Sequence, residues 1–421
     1  MLATPMPTLA IAIFVAVFAV ATFRNIHLGA LMLPAAVAVG IWLADMSLRD
    51  IVAGFPIGIL VLIAGVTFLF GIAQGNGTID RVVQTVLAAV GARRGLLPWV
   101  FFLITAGVAA MGSPQAGYVV MPLAMPAARR SGVDPMVMAV AINGGISAGG
   151  LAPTSLFGIV TNGTARQAGI DLNPLTLLAA AIVANVALIA AAKWLFPGTS
   201  LAPSPRDVAT EPVATRARFA PQQIVTLTGI AGLILSVMTG FWLGLEPDIG
   251  VIAFGFGAAL ALVYPEAGAE GIRRIDWATI LMVGGIVTFV GVLQRMDAVN
   301  LLGHAAMNVG TPLVAALVIC MIAGLVSAFA STTGILAALV PMAVPLAASG
   351  GVTGWALISA MGVCASIVDV SPFSTTGALL IASAAEDERP RLKSLLTRWG
   401  LSMVIVGPVV ATLVLMLLGR F

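Results

Sequence analysis

Apolar residues fill most of the chain in stretches close to 20 residues long, the length that a helix needs to cross a bilayer. Charged residues are gathered in the short connections between these stretches. Full-length membrane spans are predicted over 7–23, 28–45, 52–73, 172–195, 222–243, 249–264, 277–294 and 399–419. We therefore expect an all-α polytopic membrane protein.

Two further apolar regions are interrupted by Pro, Gly, Ser and Thr and do not parse as simple spans. Most of their uninterrupted pieces fall short of the roughly 20 residues needed to cross a membrane. Re-entrant helical hairpins followed by discontinuous helices are the economical interpretation. The predicted elements are a hairpin over 95–130 with a broken helix over 135–167, and a hairpin over 310–349 with a broken helix over 354–385.

The second half of the chain repeats the pattern of the first half. "PLAMP" begins at Pro122 and "PMAVP" begins at Pro341, and the same offset relates Pro153 to Pro372. Unrelated apolar segments rarely share such Pro and Gly positions without a gap, so we predict an internal repeat. The division is a first repeat over 1–196, a linker over 197–221 that is rich in Pro, Ser, Thr and charge, and a second repeat over 222–421.

Basic residues predict the orientation, because cytoplasmic loops carry an excess of Lys and Arg. Five crossings per repeat invert the second repeat, giving about 10 transmembrane helices and two periplasmic termini. Sixteen of the 20 Lys and Arg residues then lie on one side, which we assign to the cytoplasm of a bacterial inner membrane. The linker and the mouth of the first hairpin lie on that side, and the second hairpin opens outward. Residues 78–91 are predicted to form an amphipathic helix at the cytoplasmic surface.

Composition excludes several classes of protein. The chain is 60% hydrophobic and 9% charged, so its net charge of +3 does not indicate a nucleic-acid partner. Cys320 and Cys364 both lie inside apolar segments and predict no disulfide and no metal centre. The stretch "GISAG" (145–149) has the spacing of a hydrolase nucleophile turn, but it lies in a membrane helix with no histidine nearby. We predict that the protein is not an enzyme and uses no organic cofactor.

Inverted repeats with discontinuous helices are typical of secondary transporters, whose paired interruptions hold the ligands. Half-helix N-termini attract anions, while carbonyl and hydroxyl oxygens suit Na⁺. The predicted substrate-binding residues are Gly112, Ser113, Gln115, Thr154, Ser155, Ser331, Thr332, Thr333, Ser374, Thr375 and Thr376. The predicted Na⁺-binding residues are Ser113, Asn143, Gly149, Gly150, Pro153, Thr332, Asp369, Ser371 and Thr375.

Ionisable residues are nearly absent from the interrupted regions. Between residues 305 and 385 the only one is Asp369, and no Lys or Arg lies at midplane to clamp an anion. Importing a dianion against about 100 mV costs about 4.6 kcal/mol, which two Na⁺ ions would cancel. Asp369 is interpreted as a cation ligand or proton carrier, or alternatively as the N-cap of the following half-helix. Asn143 either ligates a cation or joins helices by a hydrogen bond.

The stretch over 53–102, "AGFPIGILVLIAGVTFLFGIAQGNGTIDRVVQ…GARRGLLPWVFF", resembles the N-terminal region of the bacterial malonate/dicarboxylate carrier family. More broadly, "GGLAPTS" and "VSPFSTTG" are similar to the divalent anion:sodium symporters of the ion transporter superfamily. The resemblance implies a homodimer in which a mobile transport domain moves as an elevator against a static scaffold. The chain departs from the broader family at its hairpin tips, where the family's Ser-Asn-Thr is replaced by Gly112-Ser113-Pro114 and by Ser331-Thr332-Thr333, so that Ser113 and Thr332 stand in place of the asparagines.

These observations together predict a Na⁺-coupled importer of a small dicarboxylate, malonate first and then C4 acids such as succinate. One alternative is a proton-coupled exporter or exchanger of a similar anion, with Asp369 as the carrier. Another is a membrane scaffold or enzyme subunit that transports nothing, although such a protein has no need of two inverted, Pro-broken repeats. The expected partners are the dicarboxylate, the lipid bilayer and a second copy of the chain.

Overall fold

A computed structural model describes residues 5–24, 26–82, 85, 95–197, 219–243, 248–298, 301, 311–328, 332–348 and 351–418. Within these ranges the chain consists of helices and short connections, with no strand. The predicted linker over 197–221 and the predicted surface helix over 78–91 fall largely outside the described residues. Of the surface helix, residues 78–82 are seen to be helical.

The first half of the chain contains nine of the described α-helices. They are α1 (Pro5–Arg24), α2 (Leu28–Trp42), α3 (Leu48–Ala53), α4 (Ile57–Gly75), α5 (Leu97–Ala110), α6 (Met121–Arg130), α7 (Pro135–Gly150), α8 (Leu156–Gln167) and α9 (Pro174–Leu195). A 3₁₀ helix over Pro114–Val120 joins α5 to α6.

The second half follows the same order. Its described helices are α10 (Pro221–Trp242), α11 (Ile249–Val263), α12 (Pro265–Arg273), α13 (Trp277–Arg295), α14 (Pro312–Ser327), α15 (Thr332–Met342), α16 (Val344–Ala348), α17 (Gly354–Ile367), α18 (Thr375–Ser383) and α19 (Arg389–Leu418). A 3₁₀ turn over Val368–Val370 follows α17.

The predicted spans coincide with helices, which confirms an all-helical polytopic membrane protein. Five helical segments in the described part of the chain are long and apolar enough to cross a bilayer. Two boundaries differ from the prediction. The span predicted from residue 52 begins at Ile57, because Pro56 separates it from the short helix α3. The last span begins at Arg389, ten residues before the predicted start, because a charged first turn extends the helix beyond the apolar stretch.

The first interrupted region forms two helical arms joined by a tight turn. The turn passes through Gly112, whose φ of +110° lies in the region that favours glycine. A Cβ atom there would also come within 2.8 Å of Phe70 on α4. This glycine therefore allows the chain to reverse while the turn packs closely on α4.

The hairpin is held against the first broken helix by small residues. All 16 residues of α7 are buried. A Cβ atom at Gly145 would lie 2.7 Å from the carbonyl oxygen of Phe102, and one at Gly149 would overlap the carbonyl oxygen of Ala106. The backbones of α5 and α7 are in contact, which fixes the hairpin turn relative to the break after α7.

Matched positions of the two halves have the same local geometry. Helices α4 and α13 are both 19 residues long, and the second residue after each has a positive φ, 72° at Gly77 and 61° at Asp297. A Cβ atom at Gly158 would overlap the carbonyl oxygen of Ala152, and one at Gly377 would overlap that of Ser371. These last two pairs are separated by the offset that relates the Pro and Gly positions in the sequence.

Two ion pairs connect the end of the first hairpin and the start of α7 to residues that follow the second broken helix. Arg129 Nη1 lies 2.5 Å from Asp387 Oδ1, and Arg391 Nη2 lies 2.7 Å from Asp134 Oδ2. Asp134 is buried, and its Oδ1 accepts the backbone N–H of Met136 at 2.8 Å, which caps α7. The hydrogen bond from Arg129 lowers the pKa of Asp387 below its ordinary value.

Candidate functional site

Asp369 lies in the 3₁₀ turn that interrupts the second broken helix, and it is 9% exposed. Its Oδ2 accepts a hydrogen bond of 2.6 Å from Thr332 Oγ1, on the returning arm of the second hairpin. Thr332 Oγ1 also lies 2.9 Å from Ser327 Oγ, which donates to the carbonyl of Ala365 at 2.7 Å. The hairpin is thus connected to the broken helix through a chain of oxygen atoms that begins at a carboxylate.

This chain of oxygen atoms has fewer hydroxyl hydrogens than oxygen–oxygen contacts. Three oxygen–oxygen contacts are within hydrogen-bond distance, but Thr332 and Ser327 have one hydroxyl hydrogen each. The third contact is favourable when Asp369 carries a proton or when a cation lies against the oxygens. The donor set is made of carboxylate and hydroxyl oxygens, which suit Na⁺.

Ser374 caps the half-helix that follows. Its Oγ accepts the backbone N–H of Gly377 at 3.1 Å and contacts the carbonyl oxygens of Ser371 at 2.8 Å and of Asp369. The N-cap alternative for Asp369 is therefore wrong for α18, because Ser374 occupies that position. The Asp369 carboxylate instead points to the hairpin.

The first break uses its hydroxyl groups differently. Thr154 Oγ1 donates to the carbonyl of Ala110 at 2.7 Å, and Ser155 Oγ donates to that of Ala109 at 2.8 Å. These carbonyls end α5 and have no partner within their own helix. Thr154 and Ser155, which we predicted to bind substrate, thus hold the first hairpin in place and line neither of the cavities described next.

A cavity of about 590 Å³ lies beside Asp369. Residues from both hairpins, both breaks and the helices α1, α2 and α13 line it: Phe18, Ala21, Ile26, His27, Leu28, Gln115, Tyr118, Phe157, Met282, Thr332, Thr333, Asp369, Phe373, Ser374, Thr375 and Thr376. Seven of these are predicted site residues. Tyr118, whose hydroxyl lies 3.3 Å from Thr376 Oγ1, was not predicted. Neither was His27, whose Nε2 lies 3.0 Å from the carbonyl oxygen of Ala278.

A second cavity, of about 380 Å³, lies beside the turn of the first hairpin. Its walls include Gly112, Ser113 and Gln115 from the hairpin, with Arg273 and Arg274 facing them from the end of α12. Gln115 lines both cavities, and its Oε1 accepts a hydrogen bond from Ser113 Oγ at 2.5 Å. Nine of the predicted site residues are therefore divided between two neighbouring cavities, Ser371 lines neither of them, and Ser331 lies outside the described residues.

Asn143 lies in neither cavity but in a buried polar cluster between α7, α9 and α17. Its Nδ2 lies 3.4 Å from the carbonyl of Ile367. One turn along α7, Ser147 Oγ lies 2.6 Å from Ser366 Oγ and accepts from Asn185 Nδ2 at 3.0 Å. The Oδ1 atoms of Asn143 and Asn185 have no hydrogen-bond partner among the described residues. The contact of Nδ2 agrees with Asn143 as a link between helices, whereas the buried Oδ1 is placed as a cation ligand would be, and both interpretations stay predictions. Gly149, Gly150 and Pro153 also line neither cavity.

Comparison with known families agrees with this architecture. Residues 5–150 match the family model of the dicarboxylate carrier protein MatC N-terminus, and residues 251–420 match that of the citrate transporter family. No curated protein matches the chain. The first match lies within the first half of the chain and the second within the second half, and both descriptions name carriers of small carboxylates. The two matches are together consistent with a MatC-type dicarboxylate carrier of the ion transporter superfamily, and both families are carriers rather than enzymes.

Proposed function

We propose that the protein imports a small dicarboxylate, malonate first and then C4 acids such as succinate, together with Na⁺. The observation that carries this proposal is the cavity beside Asp369, where the N-terminus of α18 meets five hydroxyl-bearing residues of the second hairpin and second break. The free N–H groups and positive dipole end of a helix N-terminus favour an anion. The hydroxyls of Thr333, Thr375 and Thr376 supply hydrogen bonds to its carboxylates.

The charges of the cavity favour cotransport of cations. Among the described residues that line it, none is Lys or Arg, and Asp369 is an acid. Two like charges about 6 Å apart repel by roughly 3 kcal/mol at an effective dielectric constant of about 20. A dianion near the Asp369 carboxylate therefore needs accompanying cations. We place one of these cations at the chain of oxygen atoms through Thr332 and Ser327, which lacks one hydrogen.

The same chain of oxygen atoms also favours an alternative function, which is proton-coupled transport. A proton on Asp369 would complete the three contacts without Na⁺, as expected for a proton-coupled exporter or exchanger. Replacing Asp369 with Asn distinguishes Na⁺ coupling from proton coupling. Under Na⁺ coupling, Asp369→Asn raises the Na⁺ concentration needed for half-maximal uptake. Under proton coupling, it abolishes flux driven by a pH gradient but leaves exchange of labelled substrate intact. An unchanged Na⁺ titration would remove Asp369 from the cation site.

We further propose that the two halves are inverted repeats whose termini lie in the periplasm of a bacterial inner membrane. The matched geometry at Gly158 and Gly377 supports the repeat. The hairpins and broken helices would form a transport domain that moves as an elevator against a scaffold of α1–α4 and α10–α13, within a homodimer. Gly112 on the hairpin and Phe70 on α4 form one of the packing contacts between these two parts.

Cysteine labelling tests this orientation. Single cysteines at Ser204 and Ser394 should react with an impermeant maleimide from the cytoplasm, and one at Asn173 from the periplasm. Reaction of Ser204→Cys from the periplasm, with the protein active, would rule out the inverted arrangement.

A further inference from the structure

The second cavity contains the positive charges that the first cavity lacks. Arg273 and Arg274, at the end of α12, line it opposite Gly112 and Ser113 of the hairpin turn. Asp276 also lines this cavity. Its two carboxylate oxygens accept from the backbone N–H and the hydroxyl of Thr279 at 2.9 and 2.7 Å. The acid thus caps α13, and the two guanidinium groups are the cationic part of the wall.

Close packing of α12 on α4 sets the position of the arginines. A Cβ atom at Gly71 would lie 2.9 Å from Cβ of Arg274, and one at Gly271 would lie 2.5 Å from Cγ1 of Ile72. Arg274 Nε donates to Glu270 Oε1 at 2.8 Å, which orients the guanidinium. The other oxygen of the same carboxylate, Glu270 Oε2, lies 3.6 Å from Arg273 Nη1. One carboxylate is thus shared by two guanidinium groups of five N–H donors each, so donors and positive charge remain for an anion.

Gln115 is the wall between the two cavities. Because its Oε1 already accepts from Ser113 Oγ, its amide N–H groups are the part of the side chain available to a carboxylate. The residue lines the cavity of Arg274 and the cavity of Asp369. An anion that leaves the arginines therefore meets a hydrogen-bond donor at the boundary.

We propose that the second cavity is an anion site, where a carboxylate of the substrate docks on Arg273 and Arg274 before or after it occupies the cavity of Asp369. This inference rests on the proposed function. Its consequence is sidedness. Arg273 and Arg274 lie at the C-terminal end of α12, on the side that the distribution of basic residues predicts to be cytoplasmic, so they affect substrate that arrives from that side.

The test is the initial rate of labelled malonate transport in right-side-out and inside-out membrane vesicles with saturating Na⁺. The variant is Arg273→Gln with Arg274→Gln. The charge-retaining control is lysine at both positions. A second control is Arg166→Gln, because Arg166 at the end of α8 lines neither cavity.

We expect the KM for malonate to rise about three- to fivefold for each charge removed, the effect of a partly screened ion pair, and to rise from one membrane face only. Raising the ionic strength should increase the wild-type KM from that face and leave the variant's KM nearly unchanged, because salt screens the attraction. The lysine and Arg166→Gln controls should stay within twofold of wild type. A normal maximal rate from the opposite face shows that the variant folds.

An unchanged KM from both faces, or an equal rise from both faces, would overturn the anion site while leaving the proposed function in place. If the wild-type protein carries neither malonate nor succinate, the proposed function fails, and this inference fails with it. The two failures are therefore distinguishable in one set of vesicles.

Discussion

Thr332→Val removes one hydrogen-bond donor and changes little else. Valine has nearly the shape of threonine, so the substitution leaves no cavity at this site, which is 4% exposed. It removes the 2.6 Å hydrogen bond to Asp369 Oδ2 and the 2.9 Å contact with Ser327 Oγ. If Na⁺ binds at this carboxylate, the variant also loses a hydroxyl ligand of the ion.

The expected magnitude follows from the burial of the group. A hydrogen bond to a charged group contributes about 1.5–3 kcal/mol, and water has little access to replace a donor at this site. Since about 1.4 kcal/mol corresponds to a tenfold change in an equilibrium constant, we expect the Na⁺ concentration for half-maximal uptake to rise about tenfold or more.

The assay is labelled malonate uptake into proteoliposomes at a series of Na⁺ concentrations. Thr161→Val is the matched control, because Thr161 is also buried and its hydroxyl donates to the carbonyl of Phe157 in its own helix, at 2.6 Å. This control should leave the Na⁺ titration within about twofold of wild type.

A wild-type Na⁺ titration for Thr332→Val would refute the reasoning, because the chain of oxygen atoms would then play no part in cation binding. An equal shift in Thr161→Val would also refute it, since the effect would then arise from any buried threonine.

Three other predictions concern packing, capping and pH. Gly158→Ala and Gly377→Ala should each lower the yield of folded protein strongly and to a similar extent, because each Cβ would overlap a backbone carbonyl, whereas Gly291→Ala, with open space around its Cα, should fold normally in the same detergent-extraction assay. Asp134→Ala should lower the free energy of unfolding by about 2–3 kcal/mol through loss of a helix cap and an ion pair, while Asp134→Asn, which keeps the cap, should lower it by less in the same denaturant titration. Asp387 has a lowered pKa when folded, so its contribution to stability is present above the ordinary aspartate range near 3.9 and is lost as the pH falls through the folded value. The difference in melting temperature between wild type and Asp387→Asn should therefore be present at pH 7 and vanish in strong acid.

The membrane helices were predictable because lipid imposes a simple requirement on sequence. A spanning helix must satisfy its own backbone groups and present an apolar surface, and both conditions are visible in the composition of a 20-residue window. The two wrong boundaries lie where the end of the apolar stretch does not coincide with the end of the helix. Pro56 separates two helices within an apolar stretch, and Arg389 begins a helix outside an apolar stretch.

The sequence was sufficient to predict the elements that form the site. It was not sufficient to predict which of their residues line a cavity and which hold the backbone. Interruptions by Gly, Pro and Ser show where the backbone is irregular. They do not show which hydroxyl turns inward to hold a carbonyl, as Thr154 does, and which turns to the cavity, as Thr376 does. That choice depends on which helix ends lie within hydrogen-bond distance.

Three residues illustrate what sequence reasoning missed. His27 lies between the first two predicted spans and is not among the predicted site residues, yet it lines the cavity of Asp369 because α2 begins beside α13. Tyr118 lies in the 3₁₀ segment after the hairpin turn, and an aromatic hydroxyl in so apolar a stretch was a usable signal. Asn185, a buried amide within a membrane span, was another.

The central claim is that the cavity of Asp369 takes up a dicarboxylate together with Na⁺. The most direct measurement is accumulation of labelled malonate in proteoliposomes under an inward Na⁺ gradient, an inward proton gradient, or neither. We predict accumulation above equilibrium with the Na⁺ gradient alone, and loss of that accumulation when K⁺ replaces Na⁺. Equal accumulation without Na⁺, or accumulation driven only by the proton gradient, would contradict the account.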